Sequence, residues 1–143
     1  MPNNNFSVGR DIKLNVITPS GQLQFPLATE FDRSPKIKDE ERPGLDGVDR
    51  NVIFHGGWKG TLKFDRGGPS FDDYWAQVEA DYYNGLNTGT ATIVETITEP
   101  NGQVTQYMYT GVVLKPTDMG GWKGQTVVSQ TVEFMAQRRL KLA

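Results

Sequence analysis

The sequence lacks several features that define whole classes of function. Its 143 residues include no cysteine, and His55 is the only histidine. Without thiols there can be no disulfide framework and no thiol nucleophile, and a zinc site of the usual kind is nearly excluded. No nucleophile-elbow motif accompanies His55, so a Ser-His-Asp arrangement is not indicated. We therefore expect a protein that is not an enzyme and that carries no cofactor or metal.

An excess of one charge and a long hydrophobic run are also missing. Fifteen basic and 17 acidic residues give a formal net charge of −2, which argues against a strongly basic nucleic-acid binder. No stretch approaches the roughly 18 apolar residues of a spanning helix. The N-terminus, MPNNNFSVGRDIK, has no basic region followed by an apolar run, as a signal peptide would. These patterns predict a chain that stays in the cytoplasm, with residues 1–10 as a flexible N-terminal arm.

Alternating apolar and polar residues dominate the rest of the chain, whose length fits a single domain over residues 1–143. In Asp11–Thr18, for example, Ile12, Leu14 and Val16 point one way while Lys13 and Asn15 point the other, which predicts a half-buried strand. Pro100-Asn101-Gly102 is a hairpin turn signal between two such runs. The other predicted strands are Gln22–Leu27, Asn51–Phe54, Trp58–Phe64, Thr90–Glu99, Gln103–Leu114 and Thr126–Leu142, the last being the longest.

One helix is predicted, over Phe71–Asn84. Ser70 is a suitable N-cap, and Gly85 is a suitable stop. Phe71, Trp75, Val78 and Tyr82 recur at helical spacing and form one apolar stripe. Burying such a stripe stabilises a fold by about 1.5–3 kcal/mol per large side chain. The predicted fold is therefore mainly β: an antiparallel β-sandwich or barrel with one flanking α-helix and a long exposed loop.

That loop is the highly charged segment Arg33–Asp49 (RSPKIKDEERPGLDGVD). It contains too few large aliphatic side chains to bury itself. Loops of this length in compact domains are usually functional or disordered. None of the carboxylate clusters here or elsewhere forms a convincing general acid–base pair, because nothing in the sequence indicates a buried carboxylate.

The pentapeptide GGWKG occurs twice, at Gly56–Gly60 and at Gly120–Gly124. Neither copy has the spacing of a phosphate-binding loop, and neither leads into a helix. The simplest interpretation is two equivalent joints, each a turn that enters a strand. Tyr107 and Tyr109 share one face of a predicted strand and are the best candidates for a sugar-stacking surface, although core or subunit contact is preferred.

The layout of nearly the whole chain resembles the tail tube proteins of long-tailed bacteriophages and the wider group that includes the haemolysin-coregulated protein of type VI secretion. The resemblance rests on a GxLxF-like strand in GGWKGTLKF and on the aromatic helix SFDDYWAQVEADYYNG. The hairpin TATIVETITEPNGQVTQYMYTGVVL and the closing strand QTVVSQTVEFMAQRRLKL complete it. It implies a structural virion protein of the tail, assembled in the host cytoplasm. Hexameric rings stack head-to-tail into a hollow tube, and DNA passes through the lumen without specific binding.

The resemblance also implies roles for particular residues. The polar face of the closing strand would line the lumen at Ser129, Thr131 and Glu133. The acidic side of the helix would face a contractile sheath at Asp72, Asp73 and Asp81, with a solvated helix face as the alternative. The charged loop would contact the next ring through the following residues: Arg33, Lys36, Lys38, Asp39, Glu40, Glu41, Arg42, Asp46 and Asp49.

Further partners and two other functions remain open at this level. Sheath, tape measure, baseplate and tail terminator proteins are the partners that the resemblance suggests. A carbohydrate-binding β-sandwich module would account for the tryptophan and tyrosine content. Another ring-forming component, such as a tail terminator or a type VI tube subunit, would share the same sequence layout.

Overall fold

A computed structural model describes residues 12–19, 21–25, 27–87 and 89–142 of the chain. The predicted N-terminal arm, residues 1–10, lies outside this range, as does Pro26. Within these ranges the chain forms eight strands and one helix: β1 Ile12–Thr18, β2 Gly21–Gln24, β3 Ala28–Pro43, β4 Asp49–Asp65, α1 Ser70–Tyr83, β5 Ala91–Thr98, β6 Val104–Asp118, β7 Ser129–Ala136 and β8 Arg138–Lys141. In the described part of the chain, no helix is both long and apolar enough to cross a membrane.

The strands form one antiparallel sheet in the order β2-β1-β5-β6-β7-β4-β3, with β8 paired to β6. This confirms the mainly β, antiparallel prediction with one helix. The two ends of the sheet, β2 and β3, are not paired with each other, so a sandwich-like arrangement forms and the barrel alternative does not. The long strand β6 pairs with β5 along one edge, and with β7 and then β8 along the other.

The core forms where the alternating side chains of these strands meet. In β7, Gln130, Val132, Phe134 and Ala136 are buried while the residues between them are wholly or partly exposed, as expected for a strand with one face on the core. Phe134 stacks on Phe31 with ring centroids 5.5 Å apart. The buried apolar residues are Val16, Leu23, Leu62, Phe64, Phe71, Ala91, Ile93, Tyr109, Val112, Leu114, Val132, Phe134 and Ala136.

The predicted closing strand Thr126–Leu142 is divided in two and is not the longest strand. β7 and β8 both pair with β6, but Gln137 between them is not part of a strand. Opposite it, Gly111 has a φ of 63°, and a Cβ there would lie 2.5 Å from the Gln137 side chain. The close approach at this glycine therefore marks the place where the sheet bends from β7 into β8.

The helix begins and ends almost where predicted, but its start is different. Pro69 occupies the N-cap position, and no side chain caps the helix, so the predicted Ser70 cap does not form. At the other end Gly85 has a φ of 74°, and the Gly85 and Leu86 amides donate to the carbonyls of Tyr82 and Asp81, a Schellman motif. Phe71 is fully buried, whereas Tyr82, the last residue of the predicted stripe, is 73% exposed.

The predicted loop Arg33–Asp49 is instead most of a long β-hairpin. β3 and β4 pair from Ala28↔Phe64 to Pro43↔Asp49, and only residues 44–48 form the connecting turn. The segment is largely exposed, as expected, but it is not irregular. Because β4 pairs with β7 only between Trp58 and Asp65, the part beyond this contact extends away from the rest of the sheet. We call residues 37–55 the distal hairpin.

Candidate assembly surfaces

The distal hairpin is a two-stranded ribbon with apolar side chains on both faces. Opposed residues share a face, so Phe54 lies with Lys38 on one face and Ile53 lies with Asp39 on the other. The side chains of Ile37, Val48, Val52, Ile53 and Phe54 are between 42% and 56% exposed, and Leu45 at the tip is fully exposed. An isolated two-stranded hairpin is marginally stable in water, so this ribbon is suited to a partner that covers it.

Two ion pairs join charged residues within the distal hairpin. Arg42 Nη2 lies 2.6 Å from Glu40 Oε1, and Arg50 Nη2 lies 2.9 Å from Asp46 Oδ2. The Val48 amide and the Arg50 guanidinium both donate to the Asp46 carboxylate, and these bonds lower the pKa of Asp46. Exposed pairs of this kind contribute little to stability. Their mixed signs suit the setting of register at an interface rather than affinity.

At the base of the hairpin, a charged pair lies at the core. Glu95 of β5 is fully buried, and its Oε1 is 3.1 Å from Arg33 Nε, an ion pair without hydrogen-bond geometry. The Tyr109 hydroxyl donates to the same Glu95 oxygen over 3.1 Å. Burial, followed by the Glu95 charge, raises the pKa of Tyr109 to about 12. Arg33, predicted as a ring-contact residue, is therefore engaged inside its own chain.

Neighbouring aromatic residues extend this cluster. The Arg139 guanidinium lies 3.8 Å from the ring centroid of Trp58 and 4.1 Å from that of Tyr107. Tyr109 is completely buried. The two tyrosines predicted to share a face are thus a core residue and a residue covered by arginine, which leaves little of the predicted sugar-stacking surface.

The two GGWKG copies are not equivalent joints, so that interpretation is wrong. Gly56–Gly60 lies within β4, where Gly57 has a φ of 96° and a Cβ would lie 2.2 Å from the Ala136 carbonyl oxygen. Gly120–Gly124 lies in the loop before β7, with a single bridge between Lys123 and Thr126. Trp58 packs on the core, whereas Trp122 is 79% exposed. The same five residues therefore adopt different local structures in the two copies.

A polar face with charges of both signs covers the outside of strands β3, β4, β7 and β6. Thr131 lies beside Lys63, and Glu133 lies between Thr61 and Lys115. Ser129 is on the same face, and its hydroxyl donates to Asp65 Oδ1 over 2.9 Å. The structure therefore brings the three predicted lumen residues together on the side of β7 that faces away from the core. A groove of about 560 Å³ crosses this face.

The three predicted sheath-facing carboxylates differ in their surroundings. Asp72 accepts hydrogen bonds from Gln130 Nε2 at 2.9 Å and from Arg66 Nε at 2.8 Å. The Gln130 bond and the Arg66 guanidinium lower the pKa of Asp72, against the opposing effect of burial. Asp73 is exposed, and the half-exposed Asp81 accepts a bond from Gln77. Asp72 thus ties the helix to β7, and only the other two are free to face a partner.

Glu95 is the buried charged residue that the sequence interpretation missed. The expectation that no carboxylate is buried is wrong at this position. Its alternation with Ala91 and Ile93, both buried, was the available signal. In the part of the chain that the structure describes, no group of three or more potential ligands is placed to hold a metal ion.

Comparisons with known proteins identify the fold. No protein-family model and no curated protein matches the chain. A chain in the cryo-EM structure of the anti-feeding prophage cap (AFP tube terminating cap) is similar, with a TM-score of 0.62 and 13% identity over 92% of this chain and 88% of that one. At such identities the likeness defines the fold alone.

Two further cryo-EM structures come from an extracellular contractile injection system, PVC. A chain in its sheath/tube terminator has a TM-score of 0.60 and 13% identity over 92% of this chain and 94% of that one. A chain in its sheath-tube complex has a TM-score of 0.58 and 12% identity over 92% of this chain and 88% of that one. The chain therefore shares its fold with chains in these cap, sheath/tube terminator and sheath-tube structures.

Proposed function

We propose that this protein is a structural subunit of a phage-tail-like tube, with no catalytic role. Copies of the chain form hexameric rings, and the rings stack head-to-tail into a hollow tail tube of the virion, assembled in the host cytoplasm. DNA passes through the lumen without specific binding. The observation that carries the proposal is the distal hairpin, a long exposed ribbon with uncovered apolar side chains on both faces. The fold likeness to contractile injection system components supports it.

The distal hairpin is the proposed contact between rings. Its apolar residues Val52, Ile53 and Phe54 supply the area to be buried, at about 25 cal/mol per Å². The charges at Lys38, Asp39 and the residues that follow them supply the register. Because Arg33 is held by Glu95 at the core, the contact set begins beyond it, at Lys36.

The polar face around Glu133 is the proposed lumen wall. It carries both acidic and basic side chains, and Lys63 Nζ lies 3.5 Å from Glu30 Oε2. A basic surface would bind phosphates with a salt-sensitive affinity. A surface with charges of both signs would not hold the DNA phosphates tightly, which suits a channel through which DNA must pass.

The exposed side of the helix is the proposed contact with a sheath. Asp73 and Asp81 lie on an acidic helix whose last turn carries no basic residue. Charge reversal at both positions, Asp73→Lys with Asp81→Lys, is expected to weaken sheath binding and to leave tubes intact. Equal sheath binding by this variant and the wild-type protein would favour a merely solvated helix face.

A tube terminator is the second candidate function. It is favoured by the likeness to chains in the cap and terminator structures as well as in the sheath-tube complex. A terminator ring would close a tube and would not extend it. A carbohydrate-binding module has less support, because Tyr109 is buried and Arg139 covers Tyr107.

Negative-stain electron microscopy across a concentration series tests these alternatives directly. Tubes that lengthen with concentration support the tube subunit. Rings that never stack, with or without preformed tubes, support the terminator. A protein that stays monomeric at every concentration and also when tube initiators are present contradicts both assignments.

A further inference from the structure

A buried ion pair spans the interior of the sandwich close to the base of the distal hairpin. Arg33 lies in β3, four residues before Ile37, where the distal hairpin begins. Glu95 lies in β5, which is separated from β3 in the sheet order by β6, β7 and β4. The 3.1 Å contact between Arg33 Nε and Glu95 Oε1 therefore crosses the interior instead of running along the sheet.

This pair is poorly arranged to stabilise the fold. Glu95 is fully buried, and within the described part of the chain its Oε2 atom has no hydrogen-bond partner. The Arg33 Nε–H lies near the carboxylate without hydrogen-bond geometry. Burying two charges costs a large desolvation free energy, and their attraction offsets it only when the geometry is good and the remaining polar atoms are satisfied. Stability alone therefore gives little reason for this pair.

The ion pair lies beside the point where the hairpin leaves the rest of the sheet. Trp58 is the last residue of β4 that pairs with β7. Its neighbour Gly57 has a φ of 96°, a conformation that glycine adopts readily, so β4 changes direction there. The Trp58 and Tyr109 rings meet edge-on with centroids 6.0 Å apart. Because the Tyr109 hydroxyl donates to Glu95 Oε1 over 3.1 Å, Trp58 is linked to the ion pair.

We propose that Arg33 and Glu95 are positioning residues that fix the direction in which the distal hairpin leaves the rest of the sheet. β3 stays paired with β4 on both sides of Gly57, so tilting the ribbon there would pull Arg33 away from Glu95. The carboxylate would then be buried without its counter-ion, which is strongly destabilising. Only directions that keep the two charges together satisfy it.

A fixed direction at the base has a large effect at the tip. A strand rises about 3.3 Å per residue, so Leu45 lies roughly 40 Å along the chain from Arg33, and a tilt of about 10° would move it by roughly 7 Å. A hairpin held in one direction also loses less conformational freedom when a partner covers it. The ion pair would thus prepare the hairpin for binding.

A distance measured between two spin labels tests the proposal, and the absence of cysteine makes the labelling specific. Leu45→Cys places one label at the fully exposed tip, and Lys115→Cys places the other at an exposed position of β6. The labelled protein is diluted with an excess of unlabelled protein, so that only distances within one chain are measured. A narrow distance distribution is expected. A broad distribution would overturn the proposal, because no direction would then be fixed.

A triple variant removes the polar atoms of the cluster together. Arg33→Met, Glu95→Leu and Tyr109→Phe keep its approximate shape, and the protein should still fold because apolar replacement of a buried ion pair is often neutral. The width of the distance distribution should about double, since the long ribbon magnifies any tilt at its base. Arg42→Gln with Glu40→Gln, which removes an exposed pair inside the hairpin, is the control and should leave the width unchanged. Equal widths in the two variants contradict the proposal.

Glu95→Gln provides a second, milder variant. Glutamine keeps the size of the side chain and an acceptor for Tyr109, and it removes only the attraction for Arg33. The distribution should broaden while circular dichroism shows a folded chain, and a wild-type width would overturn the proposal. A purely stabilising pair would change the melting temperature but not the distances within folded chains. The inference does not depend on tube formation, so its failure would leave the proposed function untouched.

Discussion

Strands β3 and β4 belong both to the distal hairpin and to the rest of the sheet, which we call the body, but their side chains are buried to different degrees in the two regions. In the body, β4 has neighbours on both sides and places Leu62 and Phe64 in the core. Beyond Trp58 the same strand pairs with β3 alone, and Val52, Ile53 and Phe54 are exposed. The body buries its apolar side chains, whereas these apolar side chains of the hairpin stay exposed in the single chain. On the proposed function, the body is the part that folds and the distal hairpin is the part that contacts another subunit.

The strongest test of this separation removes the distal hairpin. Replacing residues 38–54 with Asn-Gly joins Ile37 to His55 by a two-residue turn. We expect the shortened protein to fold, with a melting temperature within about 5 °C of wild type, and to form no stacked rings. Circular dichroism and negative-stain microscopy measure the two properties. Tubes of normal length from this variant would contradict the proposed contact between rings.

A pair of matched truncations compares the two regions at single residues. Phe134 is 2% exposed and Phe54 is 50% exposed. Phe134→Ala should lower the free energy of unfolding by about 3–5 kcal/mol, since it leaves a cavity in the core. Phe54→Ala should change it by less than about 0.5 kcal/mol but should weaken tube growth. Urea unfolding measures both values. A large loss of stability from Phe54→Ala would show that the hairpin is part of the folded core.

The body could be predicted from sequence because its strands alternate. In the distal hairpin, Asn51–Phe54 was predicted as a strand and lies in β4, whereas the opposite arm, in β3, was not predicted. Period-2 burial in β1, β5 and β7 follows the apolar residues, and Pro100-Asn101-Gly102 does connect β5 to β6. In Lys36–Pro43 charges occupy both faces, so no period indicates a strand. The strand there is defined by its partner, β4, whose own apolar residues Val52, Ile53 and Phe54 run without alternation.

Features of the candidate assembly surfaces that lie within one strand could be predicted from the sequence, whereas those that depend on contacts between distant segments could not. Because side chains alternate along a strand, the sequence of β7 alone predicts that Ser129, Thr131 and Glu133 lie on one face. In the structure they do share the face that points away from the core. Their position in a lumen stays a prediction. The pair Arg33 and Glu95 is separated by most of two strands and a helix, so only the folded chain brings them together. Identical GGWKG segments differ because Gly57 is placed against Ala136, a contact absent from the second copy.

Glu95 tests whether the base of the hairpin belongs to the body. Glu95→Ala leaves Arg33 without its counter-ion and Tyr109 without its acceptor. We expect a loss of about 2–4 kcal/mol in the free energy of unfolding, toward the lower end because Arg33 is 30% exposed and partly hydrated. Glu95→Gln keeps a hydrogen-bond acceptor for Tyr109 and should cost less. Chemical denaturation of both variants measures this, and an unchanged stability for Glu95→Ala would place the hairpin base outside the cooperative unit.

A smaller effect than that of Glu95→Ala is expected at Asp72, which joins the helix to β7. Asp72→Asn removes the charge that Arg66 and Gln130 contact and should cost about 1 kcal/mol at pH 7. Asp73→Asn, one residue away and exposed, is the control and should cost less. The folded-state pKa of Asp72 is lowered, so its contribution is present above the unfolded pKa of about 3.9 and is lost as the pH falls through the folded value. The stability difference between wild type and Asp72→Asn should therefore shrink from pH 7 to pH 2.5, and a constant difference across that range would assign the effect to packing rather than charge.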